Sequence, residues 1–356
     1  MQAIRVHPAP KHLKPFSPSN PAPPSALQLD EVPIPRPENH GDTLIKVKAT
    51  AVIRDSLTWP ETYAMELAIL GHDFAGIVED GGTTSFQQGD EVFGMASVDS
   101  GSTWAEYTII REGEIARKPR DLSWEEAASL PLSALTAFEA LFEHAGLPWP
   151  ESSPGEDQKQ EQPRNGKRVL VTGSSGGVGI YLIQLAAIAG LHVVAASSSN
   201  ARNETFLKSL GATEVTEYST LKENPETFSD YIIDTVGGEI LAGCWSWISR
   251  TGTLVSVDSA SSDFVNDRRG RGLCKGKENV RALFFIVKSN GKALERLAGL
   301  AGLGRLKPFV LKEFELAQAR QAYGQASSNS VFWSWKSCHQ SLGLMRLGLG
   351  LPKLDG

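Results

Sequence analysis

The sequence predicts an α/β protein in which a doubly wound parallel sheet is joined to a mostly-β part. Three observations carry that prediction. Between residues 168 and 257, short apolar strands alternate with helical stretches, the grammar of a parallel sheet with helical crossovers. Before residue 118 the apolar runs are short, and glycines and aspartates separate them. A glycine turn, Gly173-Ser174-Ser175-Gly176-Gly177-Val178-Gly179, stands where the first strand of the alternating region meets its first helix.

Prolines recur through residues 8–37, so no long helix forms there, and Leu27 to Val32 is left as a short edge strand. Thr43 to Val52 alternates Leu44, Lys46 and Lys48 with Ile45, Val47 and Ala49, a half-buried strand. Gly76 to Glu79, Glu91 to Gly94 and Trp104 to Ile110 read as further strands with non-parallel connections. Ser123 with Glu126 forms a capping box that opens a helix. Leu135, Phe138, Leu141 and Phe142 give Leu132 to His144 helical spacing, and residues 146–166 form an exposed loop. The parallel strands are expected at Arg168 to Thr172, His192 to Ala196, Tyr231 to Val236 and Thr253 to Val257. The helices between and after them are expected at Val178 to Ala189, Ala201 to Leu210 and Glu239 to Ile248.

The composition is that of an ordered globular chain, 41% hydrophobic and 21% charged. A formal net charge of −6 gives no support for nucleic-acid binding, which needs a concentrated basic face. The longest strongly apolar run, Ala282 to Val287, is far short of the ~20 residues that span a bilayer. The N-terminus has no apolar signal-peptide core. Cys244, Cys274 and Cys338 are scattered and odd in number, so a disulfide framework is not expected. These features predict a cytoplasmic protein with no nucleic-acid or membrane partner; a small-molecule substrate and a monomeric or homodimeric state are separate expectations.

Gly173 allows the tight turn, Gly176 and Gly177 let a pyrophosphate approach the backbone, and Gly179 permits close helix–strand packing. The anion would sit on the free N–H groups at the start of the helix. The strand that follows ends Ala195-Ala196-Ser197-Ser198-Ser199-Asn200-Ala201-Arg202, with no carboxylate to receive a ribose 2′-hydroxyl. Serines and Arg202 suit a 2′-phosphate, so the expected cofactor is NADPH.

The order of parts then resembles the medium-chain dehydrogenase/reductase superfamily. The resemblance rests on Gly71-His72-Asp73-Phe74-Ala75-Gly76, Gly89-Asp90-Glu91-Val92-Phe93-Gly94 and Trp104-Ala105-Glu106-Tyr107. The glycine turn, Leu210-Gly211-Ala212 and Asp234-Thr235-Val236-Gly237-Gly238 fit its zinc-independent quinone oxidoreductase (ζ-crystallin-like) branch. It covers residues 1–326 and implies a GroES-like catalytic domain, a Rossmann cofactor domain and a site in the cleft between them. The implied boundaries are 1–125 for the catalytic domain, 126–285 for the NADP-binding domain, 286–326 for the return, and 327–356 for an atypical tail. Carried over residue by residue, Gly176, Gly177, Val178 and Gly179 match the pyrophosphate turn, and Ser197, Ser199 and Arg202 match the 2′-phosphate segment. Tyr218 matches a tyrosine beside the adenosine phosphate, while Asp234 to Gly238 and Ser256 to Val257 lie at strand ends facing the nicotinamide half.

The zinc-dependent branch places a catalytic cysteine before Gly-His-Glu. Here the corresponding segment is Val52-Ile53-Arg54-Asp55-Ser56, with no thiol before Cys244, so no metal is expected and His72 reads as a buried or hydrogen-bonded histidine. A hydrogen-bond donor must then stabilise the oxygen that gains charge. Similar enoyl reductases place a tyrosine at the spacing of Tyr63 after Asp55, although Ile53-Arg54 replaces the commoner Asn-Pro. The resemblance therefore implies Tyr63 as the catalytic donor and Trp59 as a wall of the substrate pocket. The expected reaction is reduction of a quinone or an activated C=C by hydride. A stand-alone enoyl reductase or dehydrogenase of a polyketide or secondary pathway, and a non-catalytic NADPH-binding protein, are the alternatives. Past Tyr323 the chain leaves the branch's pattern, so residues from about 328 are expected to pack poorly and to leave the N-terminal sheet short of a strand.

Overall fold

Apolar alternation along residues 2–52 builds three strands: β1 (Gln2–Val6), β2 (Leu27–Glu31) and β3 (Asp42–Val52). The computed structural model describes residues 1–97, 102–150, 166–223 and 229–327, with the backbone of 343–346. It separates into one unit holding Met1–Leu132 with the segment from Ser289, and another holding Ser133–Lys288.

In the first unit β1 and β2 form an antiparallel ribbon with Ile4 opposite Leu29. The larger sheet grows from β3 through β4 (Asp73–Asp80), β5 (Glu91–Met95), β6 (Tyr107–Arg111) and β7 (Ile115–Arg117). β3 pairs antiparallel with both β4 and β6. Its register against β4 shifts at Leu44/Ile45 and Val47/Ala49, irregularities of the kind that bend a strand. Ile45, Val47, Phe74, Val78, Val92 and Ile110 fill the core beneath it. The expected capping box opens α1 (Trp124–Ala128), with Glu126 N donating to Ser123 Oγ at 3.1 Å and Ser123 N to Glu126 Oε2 at 2.9 Å. The helix expected over 132–144 is α-helical only as α2 (Pro131–Phe138), and a π-helical stretch continues it over Glu139–His144.

The second unit alternates as the sequence predicts: β8 (Arg168–Val171), α3 (Gly177–Ile188), β9 (His192–Ser197) and α4 (Asn200–Ser209). Next come β10 (Glu214–Glu217), α5 (Tyr218–Glu223), β11 (Ser229–Asp234), α6 (Gly238–Trp247) and β12 (Ile248–Ser256). α7 (Phe264–Gly270) and β13 (Arg281–Phe284) complete it. The sheet order is β10-β9-β8-β11-β12-β13, with every pairing parallel. Strand order reverses between β8 and β11, and open parallel sheets take ligands at the carboxyl ends of strands beside such a point. Two strands, β10 and β13, were not expected: Glu214-Val215-Thr216-Glu217 has a single apolar residue and hence no readable period.

The chain returns to the first unit through α8 (Gly291–Gly302), β14 (Lys312–Glu315) and α9 (Ala319–Ser327). Here one expectation fails. β15 (Gly343–Arg346) supplies the strand thought to be missing: it pairs parallel with β14 and antiparallel with β3, Gly343 facing Val52 and Arg346 facing Ala49. Ladder hydrogen bonds come from the backbone, so the edge of β3 can be closed by a segment lacking the branched residues that mark a strand in sequence. Phe332, Trp333, Trp335 and the Cys338/His339 pair lie outside the described residues.

Candidate nucleotide site and its surroundings

The turn after β8 is held by glycine geometry. Gly173 has φ +61°, in the left-handed region that favours glycine, and its carbonyl accepts from Gly176 N at 2.8 Å. A Cβ on Gly179 would lie 2.2 Å from that same carbonyl oxygen, so only glycine lets α3 approach this closely. α3 has no side-chain cap and no acidic residue in its first turn. The positive end of its dipole and the N–H groups of Gly177, Val178 and Gly179 therefore suit an anion.

Tyr218 locks the turn from behind. Its hydroxyl accepts from Gly173 N at 2.8 Å and lies 3.4 Å from Ala196 O, which it can reach as a donor. Burial pushes the phenol up to about 12, so it stays protonated at neutral pH. The resemblance placed Tyr218 against a phosphate, whereas this hydroxyl is turned into the protein's own turn. Tyr218 begins α5.

At the end of β9, Ser197 is buried and its Oγ accepts from Ser199 N at 3.3 Å. Ser199 is the N-cap of α4 and makes no side-chain cap bond. Arg202, exposed on the first turn of α4, stands on the same helix end. The serine and arginine group read from sequence is thus brought together locally.

Asp234 ends β11 with no solvent exposure. Its Oδ1 accepts from Thr172 Oγ1 at 2.6 Å and Val236 N at 3.4 Å, and its Oδ2 accepts from Ser256 Oγ at 2.9 Å and Gly237 N at 3.0 Å. Burial raises its pKa against the pull of these four donors. Asp234 therefore ties together the ends of three neighbouring strands, and Val257 N donates to its carbonyl at 3.0 Å. The turn that follows holds Gly237 at φ +74°, where a Cβ would meet Asp258 Oδ2. Thr172 was not singled out in the sequence; its position one residue before Gly173 was the available signal.

In the first unit, Tyr63 lies in a 3₁₀ turn (Pro60–Tyr63). Its hydroxyl donates to Leu57 O at 2.5 Å and accepts from Ala22 N at 2.8 Å. The phenol expected to face substrate spends its one proton on the backbone of its own loop. Trp59 rests against His72, with ring centroids 5.5 Å apart.

The residues at the zinc-motif position do not fit a zinc site. His72 Nδ1 donates to Ala96 O at 3.1 Å, the hydrogen-bonded histidine the sequence suggested. Burial lowers its pKa, which keeps the ring neutral. Asp73 is buried, and its Oδ1 accepts from Leu132 N at 2.7 Å, at the start of α2. Cys244 and Cys274 are buried in the second unit, far along the chain from this motif. Among the described residues no group of three or more His, Cys, Asp or Glu side chains could hold a metal.

Asp73 carries a pH prediction. Burial pushes its carboxyl from the ordinary 3.8 up to about 8, against the lowering effect of Leu132 N–H. Between those values the folded protein holds the proton more tightly than the unfolded chain does, so stability falls as pH rises from about 4 to about 8. Asp73→Asn keeps a carbonyl for Leu132 N and removes the titration. Denaturant unfolding should show wild type losing at least about 1 kcal/mol more than the variant between pH 5 and pH 8. Parallel pH profiles for the two proteins would refute this assignment.

The family described as "Alcohol dehydrogenase GroES-like domain" matches residues 39–120, and the family described as "Zinc-binding dehydrogenase" matches residues 210–332. A relative from Arthroderma benhamiae named "Probable zinc-binding oxidoreductase, mitochondrial" is 33% identical over 319 residues, covering 87% of this chain and 92% of its own. The "Quinone-oxidoreductase homolog, chloroplastic" of Spinacia oleracea is 34% identical over 317 residues, covering 84% and 90%. A solved quinone oxidoreductase from Coxiella burnetii superposes with TM-score 0.77 at 26% identity, covering 98% of this chain and 99% of that one. Sequence and fold converge over nearly the whole length: the chain belongs to the medium-chain dehydrogenase/reductase superfamily, among its quinone oxidoreductases, and is an oxidoreductase.

Proposed function

We propose that this oxidoreductase binds NADPH at the β8–α3 turn and reduces a quinone or an activated C=C, an enone or enoyl group, without a metal. The observation that carries the reading is the uncapped α3 N-terminus behind a turn in which Gly179 cannot bear a side chain. A nicotinamide cofactor suits this cradle, and a mouse relative of 28% identity over 277 residues is named an NAD(P)H oxidoreductase. NADPH over NADH is supported by Ser197, Ser199 and Arg202 at the end of β9. Bound there, the cofactor would supply hydride from its nicotinamide ring.

The protein's own share is to grip and orient. Gly177, Val178 and Gly179 offer N–H groups to the pyrophosphate, and Tyr218 fixes the turn that aims them. Asp234 holds the loop through Gly238 in place against β12. Conjugated acceptors spread the charge left by hydride, so strong electrophilic help is not required. A cytoplasmic setting, in which buried Cys244 and Cys274 stay reduced, and a monomeric or homodimeric state belong to the same proposal. The relatives above are named mitochondrial and chloroplastic. No helix among the described residues is long and apolar enough to cross a membrane.

The deciding experiment follows NADPH oxidation by the full chain across quinones, enones and enoyl thioesters. Turnover is expected on at least one class, and none on any would overturn the proposal. Metal independence has its own check. Elemental analysis should find well under stoichiometric zinc, and a chelator should leave turnover unchanged. Stoichiometric zinc would sink that part of the reading.

A further inference from the structure

The end of β9 holds a carboxylate that its own sequence lacks. β9 and β10 run parallel, and their last rung sets Glu217 opposite Ser197. Glu217 is half-buried, and its Oε1 accepts from Asn200 N at 2.7 Å. Asn200 is the first residue of α4, the helix whose N-cap Ser199 makes no side-chain cap bond and whose first turn carries no acidic residue. Glu217 therefore does from a neighbouring strand what the cap does not. Beside it, Asn200 Nδ2 donates to Val215 O at 3.3 Å, while Asn200 Oδ1 is buried without a partner. The Glu217 carboxylate thus stands at a helix end that a cofactor's 2′-phosphate would otherwise claim.

A 2′-phosphate is an anion of nearly two charges, and it needs donors. Glu217 already uses the N–H of Asn200 and repels the phosphate. A ribose 2′-hydroxyl is a donor and has no quarrel with a carboxylate. We propose that Glu217 is a specificity-determining residue which opposes the 2′-phosphate grip of Ser197, Ser199 and Arg202, narrows the preference for NADPH and admits NADH. This rests on the nucleotide site proposed above. It places the discriminating acid on the third strand of the sheet's first half rather than at the end of the second.

The test compares Glu217→Gln with wild type by calorimetric titration of the full chain with adenosine 2′,5′-bisphosphate and with 5′-AMP. Glutamine keeps an oxygen to accept from Asn200 N and removes only the charge. The bisphosphate-to-AMP affinity ratio should rise by about fivefold or more, and the gain should shrink with added salt. An unchanged ratio, or a gain indifferent to salt, overturns the inference. If the glutamine variant melts early, Glu217→Asp serves instead: its shorter side chain draws the charge back, and the ratio should rise by a smaller factor. An unmoved ratio there counts equally against it. Failure of the underlying NADPH reading looks different. Wild type would prefer 5′-AMP, and Arg202→Glu would leave bisphosphate binding intact.

Discussion

Asp234→Ala is expected to destabilise the protein by about 3–5 kcal/mol and to weaken nucleotide binding with it. The carboxylate sits fully buried between four donors, two hydroxyls and two backbone N–H groups. Alanine strips all four of their acceptor in a place that water does not reach. The loss also removes the side-chain tie between Thr172 and β11, leaving only the Thr172 N bond to Ile233 O at 3.1 Å, and Thr172 is the residue that enters the glycine turn. Thr235 leans on the same residue, with its N donating to Thr172 Oγ1 at 3.1 Å and its Oγ1 to Thr172 O at 3.0 Å. Asp234→Asn should be milder, at about 1–2 kcal/mol. Each carboxylate oxygen faces one backbone N–H, so an amide must set its NH₂ against one of them. It will choose the Oδ1 side, where Val236 N lies at 3.4 Å and little is lost, while the Thr172 hydroxyl can rotate to accept. Denaturant unfolding at constant m-value checks the order alanine, asparagine, wild type. Equal stability of alanine variant and wild type would show that the network contributes nothing.

Why the glycine turn could be read from sequence and the network around Asp234 could not is a matter of range. Gly173 to Gly179 is one short segment whose spacing states its own geometry. Asp234, Thr172 and Ser256 meet only because β8, β11 and β12 pair in a particular register, with Ile233 beside Val171 and Asp234 beside Ser256. No pattern within any one strand announces that. Glu217 was hidden for a related reason. The acid of the sequence pattern belongs at the end of β9, and the carboxylate arrives instead from the next strand, at Ser197's level. Tyr63 shows the opposite case. Its spacing from Asp55 suggested chemistry, and the fold gives its hydroxyl two backbone partners instead. β15 is not legible in sequence because Gly343-Leu344-Met345-Arg346 has no strand signature of its own; β3 and β14 on either side of it supply the pairing.

Gly179→Ala is expected to lower nucleotide affinity by at least about tenfold, and to do so by moving the turn rather than by blocking the ligand. The added Cβ would lie 2.2 Å from Gly173 O and 2.8 Å from two backbone atoms of Ser174. Backbone cannot swing aside as a flexible side chain does. Either α3 must back away from β8 or the turn must open, and opening breaks the Gly176 N bond to Gly173 O. Both responses misalign the N–H groups that an anion would use, because a displaced donor loses most of its bond beyond its usual length. Gly177→Ala provides the contrast. Its Cβ would meet only Ser133 Oγ, at 3.5 Å, an ordinary contact. That variant should melt with wild type, and any loss of affinity in it reports on space taken from the pyrophosphate. Gly179→Ala should lower the melting temperature and the affinity together. Calorimetric titration with 5′-AMP and adenosine 2′,5′-bisphosphate, beside thermal unfolding of both variants, separates the two effects. Wild-type affinity in Gly179→Ala would mean that the turn after β8 is not where the nucleotide binds.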